Sequence, residues 1–318
     1  IAVNPITNSI YTLPTVGNSV AVIDGNINST STVIAGMQPY DVAVNPVTNK
    51  IYAANNFSNN VTVIDGATNS TATVLTGVKP NAIVVNPATN KIYIANYTSS
   101  SVTVIDGNNN STVDVIVGAG PIALAINVAS NKVYVANFES ASVTIIDGVS
   151  NSTATVAAGT NPIAVAVNAT TNKVYVANNG SANVTVVDGA TGSNTGTITV
   201  GSTPNAVVVN QFTNKIYVAN YDSNSVTVID GQTNAKSTIA AGFNPSSLAI
   251  NAATNQIYVG NFLSNSVTVI DGKSNYASAT TVGSSPLAIA VNLVTHRVYV
   301  ANQYGNSVTS ITPMIETA

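Results

Sequence analysis

The chain has no cysteine and no tryptophan, a single histidine, and charged side chains at only 7% of its 318 positions, against roughly 25% in an ordinary soluble protein. Each shortage removes a class of chemistry. Without cysteine there is neither a disulfide framework nor a thiolate metal site, and cysteine usage says nothing about redox compartment. One histidine falls short of the sets that hold zinc, copper or haem, so neither a metal nor a cofactor is expected. Nine basic residues spread along the chain do not build the patch of Lys and Arg that neutralises phosphates, so nucleic acid is not an expected partner, and neither is an anionic membrane surface. No apolar run reaches the roughly 18 residues that a membrane-spanning helix needs, so no direct membrane span is expected. The chain opens Ile1-Ala2-Val3-Asn4, with no Met and no signal-peptide pattern, which reads as a processed or clipped chain.

Asn, Ser and Thr take the place of charge. Val, Ile and Ala are abundant and the net charge is only −3, so the composition is that of a folded chain. Length alone would allow two domains, but internal repetition overrides that reading. An Asp-Gly pair after an apolar run recurs at Asp24, Asp65, Asp106, Asp147, Asp188, Asp230 and Asp271. A second marker, a Tyr before an Ala-Asn stretch, recurs at Tyr11, Tyr52, Tyr93, Tyr134, Tyr175, Tyr217, Tyr258 and Tyr299. Both repeat about every 41 residues.

The second unit shows the grammar. Residues 41–45, 50–55, 60–65 and 71–76 alternate with period 2 and are separated by Asn-, Gly- and Pro-rich turns, a pattern of short strands with no helical period. Asn and Asp tolerate left-handed backbone and bond to it locally, and Gly enters it without strain. Four strands in some 40 residues is the blade of a β-propeller. The first strand of each unit carries a small or β-branched side at Ala43, Val84, Ala125, Ala166, Val208, Ala249 and Ala290, as fits the crowding of innermost strands at an axis.

The sequence therefore predicts an all-β fold: an eight-bladed propeller of four-stranded blades with the last blade incomplete, the alternative being seven blades and a displaced terminal unit. It is read as one domain, 1–318, with blades at about 1–38, 39–79, 80–120, 121–161, 162–203, 204–244, 245–285 and 286–318. The last blade has strands near 287–292, 297–302 and 307–312, and Pro313, which lacks a donor N–H, stops the ladder there. Strand 307–312 is then expected to present an unpaired edge, which proteins normally cover. An upstream stretch of the same polypeptide is the preferred cover, with self-assembly through this edge by a neighbouring subunit as the alternative.

The run Asn45-Pro46-Val47-Thr48-Asn49-Lys50-Ile51-Tyr52, followed by Ser58-Asn59-Asn60-Val61-Thr62-Val63-Ile64-Asp65-Gly66, resembles the YVTN-type β-propeller repeat, whose naming tetrad stands here as Tyr217-Val218-Ala219-Asn220. The resemblance covers the whole chain. It implies the propeller fold, and likeness to archaeal and bacterial surface-layer and secreted proteins. The family also contains a streptogramin lyase-like branch and subunits of electron-transfer enzymes, so the fold does not assign an activity.

Seven of the charges are the turn Asp residues and six are the Lys50, Lys91, Lys132, Lys173, Lys215 and Arg297 that follow the first turn. Repetition around a ring marks them as parts of turns. One Asp per blade does not supply the clustered oxygens that calcium requires. A catalytic site should instead appear as a break in the repeat. Asp41 and Lys79 are such breaks, both expected at one mouth of the central channel, where an Asp–Lys pair is able to support acid–base chemistry. Asp114, Glu139, Asp222, Lys236, Lys273 and Glu316 are also off the pattern. His296 replaces the Asn of a first turn on the opposite face and reads as a turn residue. The stronger binding signal is aromatic. The loop between second and third strands presents Phe57, Tyr97, Phe138, Tyr221, Phe262 and Tyr304, and the loop entering the innermost strand carries Tyr40 and Phe243. Rings on one face are suited to stack on a sugar or anchor a partner chain, unless each packs on its neighbouring loop.

Eleven Asn-x-Ser/Thr sequons occur, at Asn28, Asn56, Asn60, Asn69, Asn96, Asn109, Asn110, Asn151, Asn168, Asn179 and Asn183. With 45 Asn and 70 Ser plus Thr in the chain, chance alone gives about as many, so the count is no evidence of glycosylation. The turn sites Asn69, Asn110 and Asn151 are expected to be accessible, and the strand-end site Asn168 less so. The leading reading is an extracellular or cell-surface scaffold, not an enzyme, that binds a protein or glycan through one propeller face. The runner-up is a lyase-like enzyme working at the channel mouth.

Overall fold

Period-2 alternation with turn residues at fixed offsets makes each repeat a four-stranded antiparallel meander. In the second repeat the strands are Pro39–Asn45, Lys50–Asn55, Asn60–Asp65 and Thr71–Leu75, paired in sequence order. The computed structural model describes residues 1–312, so Pro313 and Glu316 lie outside the described residues. Within it there are 31 strands in eight sheets. Seven sheets have four strands, and the last has three: Pro286–Val291, Val298–Asn302 and Ser307–Ile311. Among the described residues the helical content is one 3-10 turn, Asn179–Ser181. Each innermost strand packs beside that of the next blade around the ring. This is an eight-bladed propeller, and the seven-bladed alternative is set aside.

Each complete innermost strand starts earlier than the hydrophobic pattern indicates, by two residues in the second blade and by one in the last. It begins at a proline, with a bulge directly after it, as between Pro39 and Asp41. Proline is tolerated as the first residue of a strand because no ladder bond is asked of its nitrogen. The bulge frees the intervening side chain from the pleat, which is how Tyr40 comes to be exposed. The turns are held by left-handed residues, mostly Asn: in the second blade Asn49, Asn59, Asn69 and then Lys79 have φ of 51°, 53°, 59° and 57°.

The core lies between blades. Tyr52, Ala54, Val61, Val63 and Val74 of the second blade pack on Ile83, Ile92, Ile94 and Ile105 of the third. The repeat tyrosines are buried in these interfaces, as expected of large aromatic rings. The small residue of the innermost strand stands opposite each ring in register, Ala43 to Tyr52, Ala125 to Tyr134 and Ala166 to Tyr175, where it leaves the ring room.

Polar side chains tie the blades on the lower face. Asn45 Nδ2 donates to Asn90 Oδ1 at 2.8 Å, Asn86 to Asn131 at 2.8 Å and Asn127 to Asn172 at 2.8 Å. The series closes across the seam, where Asn292 Nδ2 donates to Asn8 Oδ1 at 2.8 Å. His296 takes an acceptor's place in this ring, its Nδ1 lying 3.3 Å from Asn251 Nδ2. A second series runs from the repeated lysines: Lys91 Nζ donates to the Gly148 carbonyl at 2.6 Å and Lys132 Nζ to that of Gly189 at 2.7 Å. Arg297 Nη1 reaches the Gly25 carbonyl at 3.4 Å, again across the seam. The turn Asp residues accept from backbone, as Asp65 does from the Ala67 and Thr68 amides, both at 3.0 Å. Those amides hold the Asp65 carboxyl below its ordinary pKa.

Candidate functional site: the upper face and the seam

Two loops of each blade meet on the upper face. The amide after the second strand donates to the carbonyl before the innermost-strand proline: Asn56 to Gln38 at 3.0 Å, Tyr97 to Lys79 at 2.9 Å, Phe138 to Gly120 at 2.8 Å and Phe262 to Asn244 at 3.0 Å. Beneath them a buried Asn locks the loop. Asn96 Nδ2 donates to Ser101 Oγ at 3.1 Å and Thr103 Oγ1 at 2.8 Å.

The aromatic candidates divide into two sets. Tyr40, Phe57, Phe243 and Tyr304 are 62–70% exposed. Tyr97, Phe138, Tyr221 and Phe262 are half-buried. Some of the second set reach the neighbouring blade: Phe262 meets Tyr304 edge-on with centroids 6.0 Å apart. The nearby Glu139 carboxylate raises the pKa of the Tyr97 phenol. At the equivalent loop position Asn56 donates to the Pro80 carbonyl at 3.2 Å.

Asp41 and Lys79 hold different ground. Asp41 lies in the wall of the innermost strand, where Oδ1 accepts from the Val42 amide at 2.8 Å and Oδ2 from the Ile83 amide of the next blade at 3.0 Å. Burial pushes its carboxyl up. Lys79 is exposed, in left-handed backbone at a loop position shared with Gln38, Asn161, Thr203 and Asn244. Its amide donates to Asn59 Oδ1 at 3.0 Å. Among the described residues no three of His, Cys, Asp and Glu come together.

The sequons fall on varied ground. Asn28, Asn69 and Asn109 are exposed in turns between third and fourth strands, and Asn110 and Asn151 are half-buried in the same turn. Asn56 and Asn179 sit on the upper face, each with Nδ2 toward a proline carbonyl. Asn60 and Asn183 accept from the locking Asn beside them at 2.7 Å. Asn96 and Asn168 are fully buried with Nδ2 engaged inside the fold.

The feature that repeat counting did not show is a cleft of about 740 Å³ where the last blade meets the first. It is walled by residues such as Thr12, Pro14, Ala21, Tyr40, Leu287 and Val308. Each of the other seven inter-blade spaces holds a cluster of buried apolar side chains. The signal was present in the alignment of the units: Thr12, Pro14 and Ala21 break the pattern of the first blade, and Ser310 that of the last.

Among solved structures, the fold is similar to Kuenenia stuttgartiensis hydrazine synthase, at 19% identity, TM-score 0.72, over 88% of this chain and 96% of that one. It is also similar to the dihydro-heme d1 dehydrogenase NirN in complex with DHE, at 12% identity, TM-score 0.73, over 96% of this chain and 73% of that one. Identities this low show the fold alone. Among curated protein sequences none matches. The sequence itself matches a β-propeller family from residue 2 to residue 296, nearly the whole ring and in keeping with the YVTN-type repeat, and the chain belongs to that family, the YNCE-like beta-propellers.

Proposed function

We propose that this chain is a binding scaffold, not an enzyme, that works outside the cell or at its surface and recognises a protein or glycan through the upper face. One observation carries the reading. The large apolar side chains exposed on that face, among them Val16, Met37, Phe57, Leu263, Leu287 and Tyr304, all belong to the arc from the seventh blade through the seam to the loop entering the third. The matching loops of the fourth to sixth blades present Ala119, Thr160 and Ser202 instead. An apolar arc on one side of a polar face is the signature of a contact surface, and exposed Tyr and Phe are the side chains that anchor partners or stack on sugars. The charge-poor Asn, Ser and Thr surface supports an extracellular setting. Asp41 spends both oxygens on backbone amides, which favours a structural part for it over a lyase-like site at the channel mouth.

The test is binding of labelled protein to a glycan array and to intact cells of the source organism. The triple variant Tyr40→Ala, Phe57→Ala, Tyr304→Ala should lose at least tenfold in binding, while Phe212→Ala on the lower face should bind as the parent does. Equal binding by parent and triple variant would refute the reading.

A further inference from the structure

The upper face is uneven in charge. Of the nine basic residues, six stand where second strands begin on the lower face, and Lys236 lies in an outermost strand with its Nζ on the Thr199 carbonyl. Lys273 stands in a turn between third and fourth strands. Only Lys79 stands in an upper loop, and it is exposed. The acidic residues of the upper loops are Glu139 on the fourth blade and Asp222 on the sixth. Asp222 accepts from Thr203 Oγ1, and Glu139 lies near the Tyr97 phenol.

Lys79 also occupies a demanding position. Its φ is 57°, in left-handed backbone that the fourth, fifth and seventh blades give to Gly120, Asn161 and Asn244, the residue types that tolerate it. Side chains at this position reach back over the loop of the preceding blade. Asn161 Nδ2 donates to the Phe138 carbonyl at 3.5 Å, and Asn244 Nδ2 to that of Tyr221 at 3.3 Å. For Lys79 the equivalent loop is Asn56-Phe57-Ser58, so the same direction carries its ammonium over the loop that presents Phe57. Backbone bonds stitch this corner together: the Phe57 amide donates to the Met37 carbonyl at 3.2 Å, and Asn56 Nδ2 donates to the Pro80 carbonyl at 3.2 Å. Met37 and Phe57 are both more than half exposed.

We propose that this corner of the second and third blades binds an acidic glycan: one uronate ring lies on Phe57 and Met37, and its carboxylate meets Lys79. The proposal rests on the upper face being the binding surface and names its ligand class. A pyranose ring has an apolar C–H face that packs on an aromatic ring, and a hydroxyl rim that the neighbouring Gln38 amide is suited to bond. An acidic protein surface is matched by several cations. Each uronate ring instead carries one carboxylate beside one apolar face, which is the ratio found at this corner. An exposed charge pair contributes little affinity and is screened by salt, so Phe57 supplies most of the binding and Lys79 the preference for acid.

The test uses the 318-residue protein and fluorescently labelled trigalacturonate, with its fully methyl-esterified form as the uncharged control. Anisotropy should show saturable binding of the acid at low salt, with a dissociation constant on the order of 100 μM, and binding of the ester about threefold weaker. Added salt should bring the acid toward the ester and leave the ester unchanged. Lys79→Gln should bind both forms equally, at the parent's affinity for the ester. Phe57→Ala should bind both at least fivefold more weakly than the parent does. Parent-like circular dichroism shows that either variant is folded. The proposal is overturned if trigalacturonate does not bind, if acid and ester bind the parent alike, or if Lys79→Gln keeps the preference. It is also overturned if a triglutamate peptide displaces the sugar acid with equal affinity, which would make the corner a site for acidic peptides. The aromatic triple variant and its cell-binding assay are read separately, so the acidic-glycan site can fail while the upper face stands.

Discussion

Truncating Tyr175 to Ala removes a ring that is completely buried between the fifth and sixth blades, packed with Val184, Val186 and Ile198 of its own blade against Val207, Ile216, Val218 and Ile229 of the next. A buried aromatic side chain removes about 150–250 Å² from water, which at about 25 cal/mol per Å² is about 4–6 kcal/mol. The retained Ala methyl and partial collapse of the cavity bring the expected cost to about 3–5 kcal/mol. The hydroxyl behaves differently. The Tyr175 oxygen is buried and has no hydrogen-bond partner in the protein, whereas that of Tyr258 donates to Gln256 Oε1 at 2.7 Å. Tyr175→Phe should therefore change stability little, and Tyr258→Phe should lose about 0.5–1.5 kcal/mol. Urea unfolding followed by far-ultraviolet circular dichroism reads all three, with an unchanged slope as the check that the variants unfold as the parent does. The reasoning is refuted if Tyr175→Ala leaves the midpoint where it was, or if the two Phe variants fall in the opposite order.

Burial pushes the Tyr52, Tyr93, Tyr175, Tyr217 and Tyr258 phenols up to about 12. The folded state thus holds protons that the unfolded state gives up from about pH 10, so their contribution is intact below pH 10 and is lost as pH rises toward 12; phenolate absorbance that rises near pH 10 for these residues while the fold persists would contradict this. Gly189→Ala would place a methyl 2.7 Å from the Asn172 carbonyl oxygen and 2.6 Å from the Tyr134 hydroxyl, at an expected cost of about 1–3 kcal/mol in thermal or urea unfolding. Asn8→Ala breaks the buried ring-closing bond from Asn292 and should cost about 1–3 kcal/mol, while His296→Asn, which restores the residue of the other turns, should stay within about 0.5 kcal/mol of the parent. Glycopeptide mapping of native protein should find any occupied sequon among Asn28, Asn69, Asn109, Asn110 and Asn151, and never at Asn96 or Asn168, whose amide nitrogens are engaged inside the fold.

Architecture was legible because it is written locally and eight times over. Strand alternation, turn Asn residues and the Tyr phase of one unit need no distant partner to be read, and repetition of Tyr11 through Tyr299 counts the blades directly. The identity of the turn charges was legible for the same reason, though not their use. That Lys132 Nζ caps a carbonyl of the next blade, or that Asn292 closes a ring on Asn8, 284 positions away, is a property of neighbours made by closure. The placement of the aromatic candidates was legible by loop, but which of them are free was not: Tyr97 is drawn onto Glu139 and Phe262 onto Tyr304, while Phe57 and Tyr40 remain exposed.

By itself the sequence determined the all-β class, the blade count, the inter-blade Tyr core and the three strands of the last sheet among the described residues, because period and turn chemistry act over a few residues. Only the tertiary structure decided that the departures at Thr12, Pro14 and Ala21 face Ser310, nearly three hundred positions further along the chain, across a single cleft. It also decided that the exposed apolar arc is centred on that cleft. The reason is geometric: a ring brings its two ends together, and what stands at the seam depends on residues that no local pattern connects.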